Sequence, residues 1–265
     1  MAMATATPTE PATRRQDAWW VQPLVTFLVL TSFVVYATYR VFENAHYIAD
    51  NGAYHYATPF GNPDLTGFVP GLLVAIPVLG QFLLYPGVLI LPFVAGFRFT
   101  CYYYRKAYYR SFALAPPGCA VEGTTRPGYN GERRLLVFQN LHRYFFYAAV
   151  VVIAFNIYDA VRSVLTPNGL YFGLGSAIMI LNAVFLSAYT FGCHSFRHLV
   201  GGRLDCFSCD LGSQVRYSLW TKATKLNERH MLWAWVSLVW VAFTDFYIRW
   251  LASSGNPATV LGVAP

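Results

Sequence analysis

The sequence predicts an all-α membrane protein, a bundle of five transmembrane helices, and three observations support this fold class. Apolar residues make up 56% of the 265 residues and charged residues only 12%, whereas an ordinary soluble domain has about 25% charged residues. Five long apolar runs are separated by polar segments. The Lys and Arg residues are concentrated in alternate segments, which is the distribution that orients a membrane protein.

The five apolar runs are the predicted spans, because about 20 helical residues cross the apolar core of a bilayer. They cover residues 19–42, 68–97, 144–158, 172–192 and 230–250. The first run opens with Trp19 and Trp20, at the level where interfacial aromatic residues collect. The second run contains four prolines. Since each proline removes a backbone N–H donor, we expect this span to be kinked.

The positive-inside rule predicts the orientation of the bundle. Of the 19 Lys and Arg residues, 16 fall in residues 1–18 and in two polar loops, 98–143 and 193–229, and 3 fall on the other side. We therefore predict a cytoplasmic N-terminus and large cytoplasmic loops after helices two and four. Residues 1–18 are predicted to be a disordered cytoplasmic tail, residues 19–250 the anchor domain, and residues 251–265 an outer-side tail. The same distribution accounts for the net charge of +7 without nucleic acid. A four-span arrangement, with one segment buried in a soluble core, stays open.

A stretch rich in cysteine and histidine follows the fourth span, from Cys193 to Cys209, and is here called the ligand stretch. His194 and His198 are four residues apart, so on a helix their imidazoles lie one turn apart and can chelate one ion. Cys206 and Cys209 form a C-x-x-C, a spacing that lets two thiolates reach one metal. These four residues are candidate metal ligands. Two His and two Cys are the ligand count of a Rieske-type 2Fe–2S cluster, and equally of a structural zinc site.

Other residues compete for the same role, and the sequence does not choose among them. Cys193 adjoins His194, and His142 and His230 each stand at the start of an apolar span on the predicted cytoplasmic face. Cys101 lies at that level too. Because no cleavable signal peptide precedes the five cysteines, we expect ligands or buried thiols rather than a disulfide framework.

Four segments carry a family resemblance: Cys101–Arg110, Gln139–Arg143, the ligand stretch and Asn227–His230. On these segments the chain resembles the membrane-anchor subunit of a respiratory complex II, a succinate dehydrogenase of the single-anchor kind found in mycobacteria. The resemblance implies a multi-pass subunit of the plasma (inner) membrane with a cytoplasmic active face. It also implies partner flavoprotein and iron–sulfur subunits, and it allows a higher oligomer of the complex. The resemblance further implies a Rieske-type 2Fe–2S cluster in place of the b haems, held by His194, His198, Cys206 and Cys209, which would pass electrons to menaquinone or ubiquinone.

A quinone pocket needs an apolar slot with a few hydrogen-bond donors for the two carbonyl oxygens. Tyr and Arg side chains supply such donors, and both are frequent on the predicted cytoplasmic face. We predict quinone-binding contacts from Tyr103, Arg197 and Trp220. The sequence assigns no residue to covalent or acid–base catalysis.

Two alternatives stay open at this stage. A haem-b anchor would take its axial ligands from His142, His194 or His198, and His230, but it would leave the C-x-x-C without a role. A membrane protein without redox function, such as a transporter or scaffold, would use the same Cys and His residues as a structural zinc site. Transport is the less favoured of these, because Asp159 and Asp245 both lie near the outer ends of their spans, whereas a relay needs ionisable groups deeper in the membrane.

Overall fold

The computed structural model describes residues 17–52, 54–121, 123, 135–167 and 169–254. Within these residues the chain is mostly helical, with two short antiparallel hairpins. The helices are α1 (Val21–Glu43), α2 (Gly71–Val74), α3 (Leu79–Phe82), α4 (Pro86–Thr100), α5 (Tyr102–Ser111), α6 (Leu135–Arg162), α7 (Leu174–Phe191), α8 (His194–Gly201), α9 (Leu211–Glu228) and α10 (His230–Ser254). The strands are β1 (Ile48–Asp50), β2 (His55–Ala57), β3 (Leu165–Thr166) and β4 (Gly169–Leu170).

Four helices of the described chain are long and apolar enough to cross a membrane: α1, α6 from Val137 onward, α7 and α10. A fifth candidate is the pair α4 and α5, which bends by 78° between Thr100 and Tyr102. The prediction of a helical membrane protein is therefore confirmed. The count of five spans depends on whether the bent pair is one span, so that count and the orientation stay predictions.

The second predicted span, residues 68–97, is not one helix. It is divided into a 3-10 turn, the single-turn helices α2 and α3, and then α4, which begins at Pro86. Pro70 and Pro77 cannot donate backbone hydrogen bonds, and Val78 adopts a φ of 65° between the two single turns. At 1.5 Å per residue the 15 residues of α4 reach about 22 Å, less than the roughly 30 Å of an apolar bilayer core.

The two segments predicted as cytoplasmic loops contain helices in the part of the chain that the structure describes. The segment 98–143 contains α5 and the beginning of α6, because α6 starts at Leu135 instead of at residue 144. The polar run Gln139–Arg143 that suggested a loop is the first part of this long helix. The segment 193–229 contains α8 and α9, which pack against each other.

The opposite end of the bundle carries the two hairpins. Strands β1 and β2 pack against α6, α7 and α10, and β3 and β4 connect α6 to α7. Helix α10 continues to Ser254, beyond the predicted end of the last span at residue 250. The tail predictions for residues 1–16 and 255–265 lie outside the described residues.

Buried residues form two clusters along the bundle. One lies by the hairpins and contains Tyr56, Ile178 and Ile248. The other lies at the α4–α5 bend and contains Phe97, Cys101, Phe146, Tyr189 and Cys193, among others. The second cluster is notable because its apolar side chains surround two cysteines.

Candidate functional site

Four buried residues, here called the buried quartet, meet at the end of the bundle that carries the large polar segments. Cys101 lies at the bend between α4 and α5, His142 on α6, Cys193 between α7 and α8, and His230 at the start of α10. Their exposures are 2%, 8%, 2% and 2%, respectively. Because the four come from separate segments, only the folded bundle brings them into one buried region.

The quartet consists of two close His–Cys pairs. Nε2 of His142 lies 3.0 Å from Sγ of Cys193, and Nε2 of His230 lies 3.9 Å from Sγ of Cys101. In both pairs the same ring nitrogen faces a sulfur atom. Imidazole nitrogen and cysteine sulfur are the donors that zinc and iron–sulfur centres use.

A threonine fixes the proton position of His142. The hydroxyl of Thr100 donates to the carbonyl oxygen of Gly96 at 2.7 Å, so its oxygen is left to accept a proton from Nδ1 of His142 at 3.0 Å. The proton of the neutral ring therefore lies on Nδ1, and Nε2 presents a lone pair toward Cys193. This is the tautomer that a metal-binding histidine needs, with its other nitrogen held by a hydrogen bond.

Aromatic rings hold both imidazoles in place. The ring of Phe97 stacks on His142 at 4.7 Å with an interplanar angle of 5°. Tyr189 stacks on His230 at 5.0 Å and 18°, and Tyr103 packs on the same imidazole at 5.2 Å. These rings exclude water from the quartet and restrict rotation of its imidazoles.

Burial also sets the protonation of the site. Burial raises the pKa of the Cys193 thiol to about 12, and the nearby Cys101 contributes to the increase. The thiol is therefore neutral at ordinary pH and must lose its proton before it can bind a metal.

Arg98 provides a positive charge beside the quartet, because its guanidinium lies 4.8 Å from the Tyr189 ring and donates to the hydroxyl of Ser237 at 3.1 Å.

The predicted ligand set on the ligand stretch occupies a different place. His194 and His198 do lie one turn apart on α8, as predicted, and both are exposed. Burial lowers the pKa of His194, and the charges of Arg197 and His198 lower it further. Cys206 and Cys209 are joined by a disulfide, which corrects the expectation of free thiols. Neither sulfur is a thiolate in this state, so the assignment of the four as metal ligands stays a prediction.

Neither the buried quartet nor the four predicted ligands of the ligand stretch form a site for a single metal ion. Among the described residues, no three side chains of His, Cys, Asp or Glu lie close enough together to hold one metal ion. The buried quartet offers its donors in pairs, which differs from the single convergent point that a four-ligand zinc site requires.

A cavity of about 120 Å³ lies directly behind the quartet. Phe97 and Tyr189, which stack on the two imidazoles, form part of its wall. The described lining is otherwise apolar apart from Arg98, Asn156 and Thr190, and it extends to the segment between α1 and α4. The buried hydroxyl of Tyr189 has no hydrogen-bond partner within the described chain.

The three residues predicted to bind quinone are only partly brought together. The guanidinium of Arg197 lies over the ring of Trp220 at 5.2 Å, so α8 and α9 unite these two. Tyr103 instead packs on His230 of the quartet. Arg98 and Tyr189 were not predicted from the sequence as quinone-binding residues. The sequence signal for Arg98 is a positive charge at the end of an apolar run.

The fold and this site define a multi-pass helical membrane protein with a buried cluster of two cysteines and two histidines at one end of the bundle. The sequence profile of the family described as actinobacterial succinate dehydrogenase subunit SdhC matches residues 21–254, and the chain belongs to this family. It is thus a membrane subunit of a complex II. The expected resemblance to a complex II anchor is confirmed at that level.

A solved structure supports the same relationship. The chain is similar to a chain of the Mycobacterium smegmatis Sdh1 complex in the apo form, with 40% sequence identity and a TM-score of 0.79. The match covers 99% of this chain and 100% of that chain. A comparison with curated proteins gives no match.

Proposed function

We propose that this chain is the membrane anchor of a succinate:quinone oxidoreductase that docks the flavoprotein and iron–sulfur subunits and carries electrons onward to quinone. The observation that supports this role most directly, beyond family membership, is the buried quartet at one end of the bundle. The large, basic segments at the same end carry most of the Lys and Arg residues. Such a surface suits a docking platform for a partner subunit.

We propose further that the quartet, rather than the ligand stretch, holds a Rieske-type 2Fe–2S cluster. The number and type of donors match, because two imidazoles and two thiols are the ligands of such a cluster. The tautomer of His142 also fits, since Nε2 faces the site while Nδ1 is hydrogen-bonded to Thr100. Bound there, the cluster would supply one-electron transfer between the partner subunits and quinone. The chain itself would orient the imidazoles and exclude water.

The quinone head group is proposed to occupy the cavity behind the quartet. This slot is apolar and lies against the rings that stack on both imidazoles, so electrons would cross only a short distance. Arg98 and the unpartnered hydroxyl of Tyr189 would donate hydrogen bonds to a quinone carbonyl oxygen. The set Tyr103, Arg197 and Trp220 is the second candidate location, at the face where α8 and α9 pack.

The ligand assignment is tested by two matched variants of the purified complex. In electron paramagnetic resonance, His142→Ala should lose the iron signal that couples to imidazole nitrogen while the signals of the partner iron–sulfur subunit remain. It should also lose quinone reduction, while succinate oxidation by an artificial acceptor persists. His198→Ala should keep both. The opposite pattern would return the cluster to the ligand stretch. An optical spectrum with a reduced b-type α-band would instead identify the haem anchor. Bound zinc in a complex without the nitrogen-coupled iron signal would identify a structural metal site.

The quinone location is tested by a second matched pair. Arg98→Gln should lower quinone reduction at least tenfold, about 1.4 kcal/mol of lost binding or transition-state stabilisation. Arg197→Gln should have a smaller effect. Electron transfer from succinate to the artificial acceptor and cluster content control for folding. A larger loss in Arg197→Gln would place the quinone at the α8–α9 face.

A further inference from the structure

The C-x-x-C of the ligand stretch has no part in the function proposed above, and its state suggests a separate role. Cys206 and Cys209 are bonded to each other, with their Cα atoms 5.8 Å apart. Cys209 is exposed and Cys206 is half-buried. By contrast, Cys101 and Cys193 are almost fully buried. The bonded pair is therefore open to solvent-borne thiols, whereas the cysteines of the quartet are shielded from them.

The loop that carries the pair is fastened to α9 by its own side chains. Phe207, between the two cysteines, packs on Tyr217 at 4.8 Å, and Tyr217 stacks on Trp220 at 6.0 Å. Directly after Cys209, Asp210 caps α9 by accepting a hydrogen bond from the backbone N–H of Ser213 at 2.9 Å. Cys209 immediately precedes this N-cap residue of an 18-residue helix, and the positive end of a helix stabilises a nearby thiolate.

The same contacts continue toward the quartet. The guanidinium of Arg197 lies over Trp220 and donates to the side-chain oxygen of Asn227 at 3.2 Å. Asn227 in turn donates to the backbone carbonyl oxygen of Gly192 at 2.8 Å, and Gly192 immediately precedes Cys193. The loop of the disulfide is therefore linked by packed rings and hydrogen bonds to the segment that presents Cys193.

From these contacts we propose that Cys206 and Cys209 form a thiol–disulfide exchange site that reacts with a dithiol reductant of the thioredoxin class. The Lys and Arg distribution indicates that this loop lies in the cytoplasm. In that compartment an exposed disulfide can exchange with dithiol proteins. A thiolate of the reductant attacks one sulfur, a mixed disulfide forms, and its second thiol resolves the intermediate. The reductant's own disulfide forms, and the protein pair gains two electrons and two protons.

Reduction breaks the disulfide between Cys206 and Cys209, which lie on either side of Phe207. Without that constraint Phe207 should separate from α9. The backbone nearby is already under constraint, since Arg203 has a φ of 57°. Arg203 is also exposed, and therefore makes a suitable site for limited trypsin cleavage. We expect cleavage after Arg203 to become several-fold faster in the reduced protein.

The test uses the purified complex with thioredoxin, its reductase and NADPH, followed by maleimide labelling and mass spectrometry under native conditions. Cys206 and Cys209 should gain two labels only after reduction, while Cys101 and Cys193 stay unlabelled. The double variant Cys206→Ser/Cys209→Ser should be cleaved after Arg203 as fast as reduced wild type.

The control variant is Cys119→Ser, which removes an exposed cysteine outside the pair. It should lose only the label at position 119, gain the same two labels at Cys206 and Cys209 on reduction, and be cleaved after Arg203 as wild type is. A pair that stays unlabelled after thioredoxin treatment would overturn the proposal. So would loss of iron in the Cys206→Ser/Cys209→Ser variant, because the pair would then be cluster ligands. Loss of iron in His142→Ala reports on the proposed cluster site alone, so failures of the two proposals are distinguishable.

Discussion

A buried ion pair at the hairpin end of the bundle gives the most quantitative prediction. Arg249 and Asp245 on α10 are 1% and 0% exposed, and Nε of Arg249 lies 3.0 and 3.1 Å from the two carboxylate oxygens. Tyr36 on α1 donates to Asp245 at 2.8 Å, and Arg249 also contacts Glu43 at the end of α1 at 3.3 Å. The pair therefore connects the last helix to the first.

The perturbation is Asp245→Asn, which keeps the shape of the side chain and removes its charge. Leaving one partner of a buried ion pair without its counter-charge costs about 3–5 kcal/mol. Because Arg249 retains Glu43, we expect a value near the lower limit, about 3 kcal/mol. At about 2–4 °C per kcal/mol for a chain of this size, the thermal transition of the purified complex should fall by roughly 6–12 °C.

Two controls isolate the cause of that loss. Asp50→Asn removes a half-exposed carboxylate that pairs with His55 at 2.7 Å, and an exposed pair contributes about 1 kcal/mol or less. The double variant Asp245→Leu/Arg249→Met removes both charges and should recover most of the loss. If Asp245→Asn lowers the transition no more than Asp50→Asn does, the reasoning about the buried charge is wrong.

Two further predictions concern the quartet and the packing of the bundle. Thr100→Val, which removes the hydroxyl that holds Nδ1 of His142, should lower cluster retention on chelator challenge by about 10–100-fold, whereas Thr100→Ser should retain it. Gly175→Ala should destabilise the complex by about 1–3 kcal/mol, since its Cβ would lie 2.4 Å from the ring of Tyr56. Gly67→Ala, with no atom within 4 Å, should leave the thermal transition unchanged.

Hydropathy predicted the helical membrane class and the positions of most spans, because apolar length is a property of the local sequence. It did not predict where α6 begins, since the polar residues of Gln139–Arg143 continue the same helix. It also did not predict the division of residues 68–85 into single turns, which depends on how the prolines and Val78 are accommodated.

The candidate site was predicted less well from the sequence than the fold was. The ligand stretch drew attention because its Cys and His residues are close in sequence, whereas the quartet is assembled from positions as far apart as 101 and 230. Spacing within one segment carries no information about such long-range proximity. His142 and His230 were alternatives because each stands at the start of an apolar span, and Cys193 was one because it adjoins His194. Only the packing of the helices pairs them, and only packing creates the cavity beside Arg98.

We propose that the buried quartet, with its two imidazoles, holds the electron relay. Pulsed electron paramagnetic resonance of the dithionite-reduced complex tests it most directly, because nitrogen couplings count the histidine ligands. We predict couplings from two imidazole nitrogens in the wild type, and loss of the cluster signal in His142→Ala and in His230→Ala. A complex that lacks the nitrogen-coupled iron signal and still reduces quinone with succinate would contradict this assignment, as would unchanged couplings in both variants.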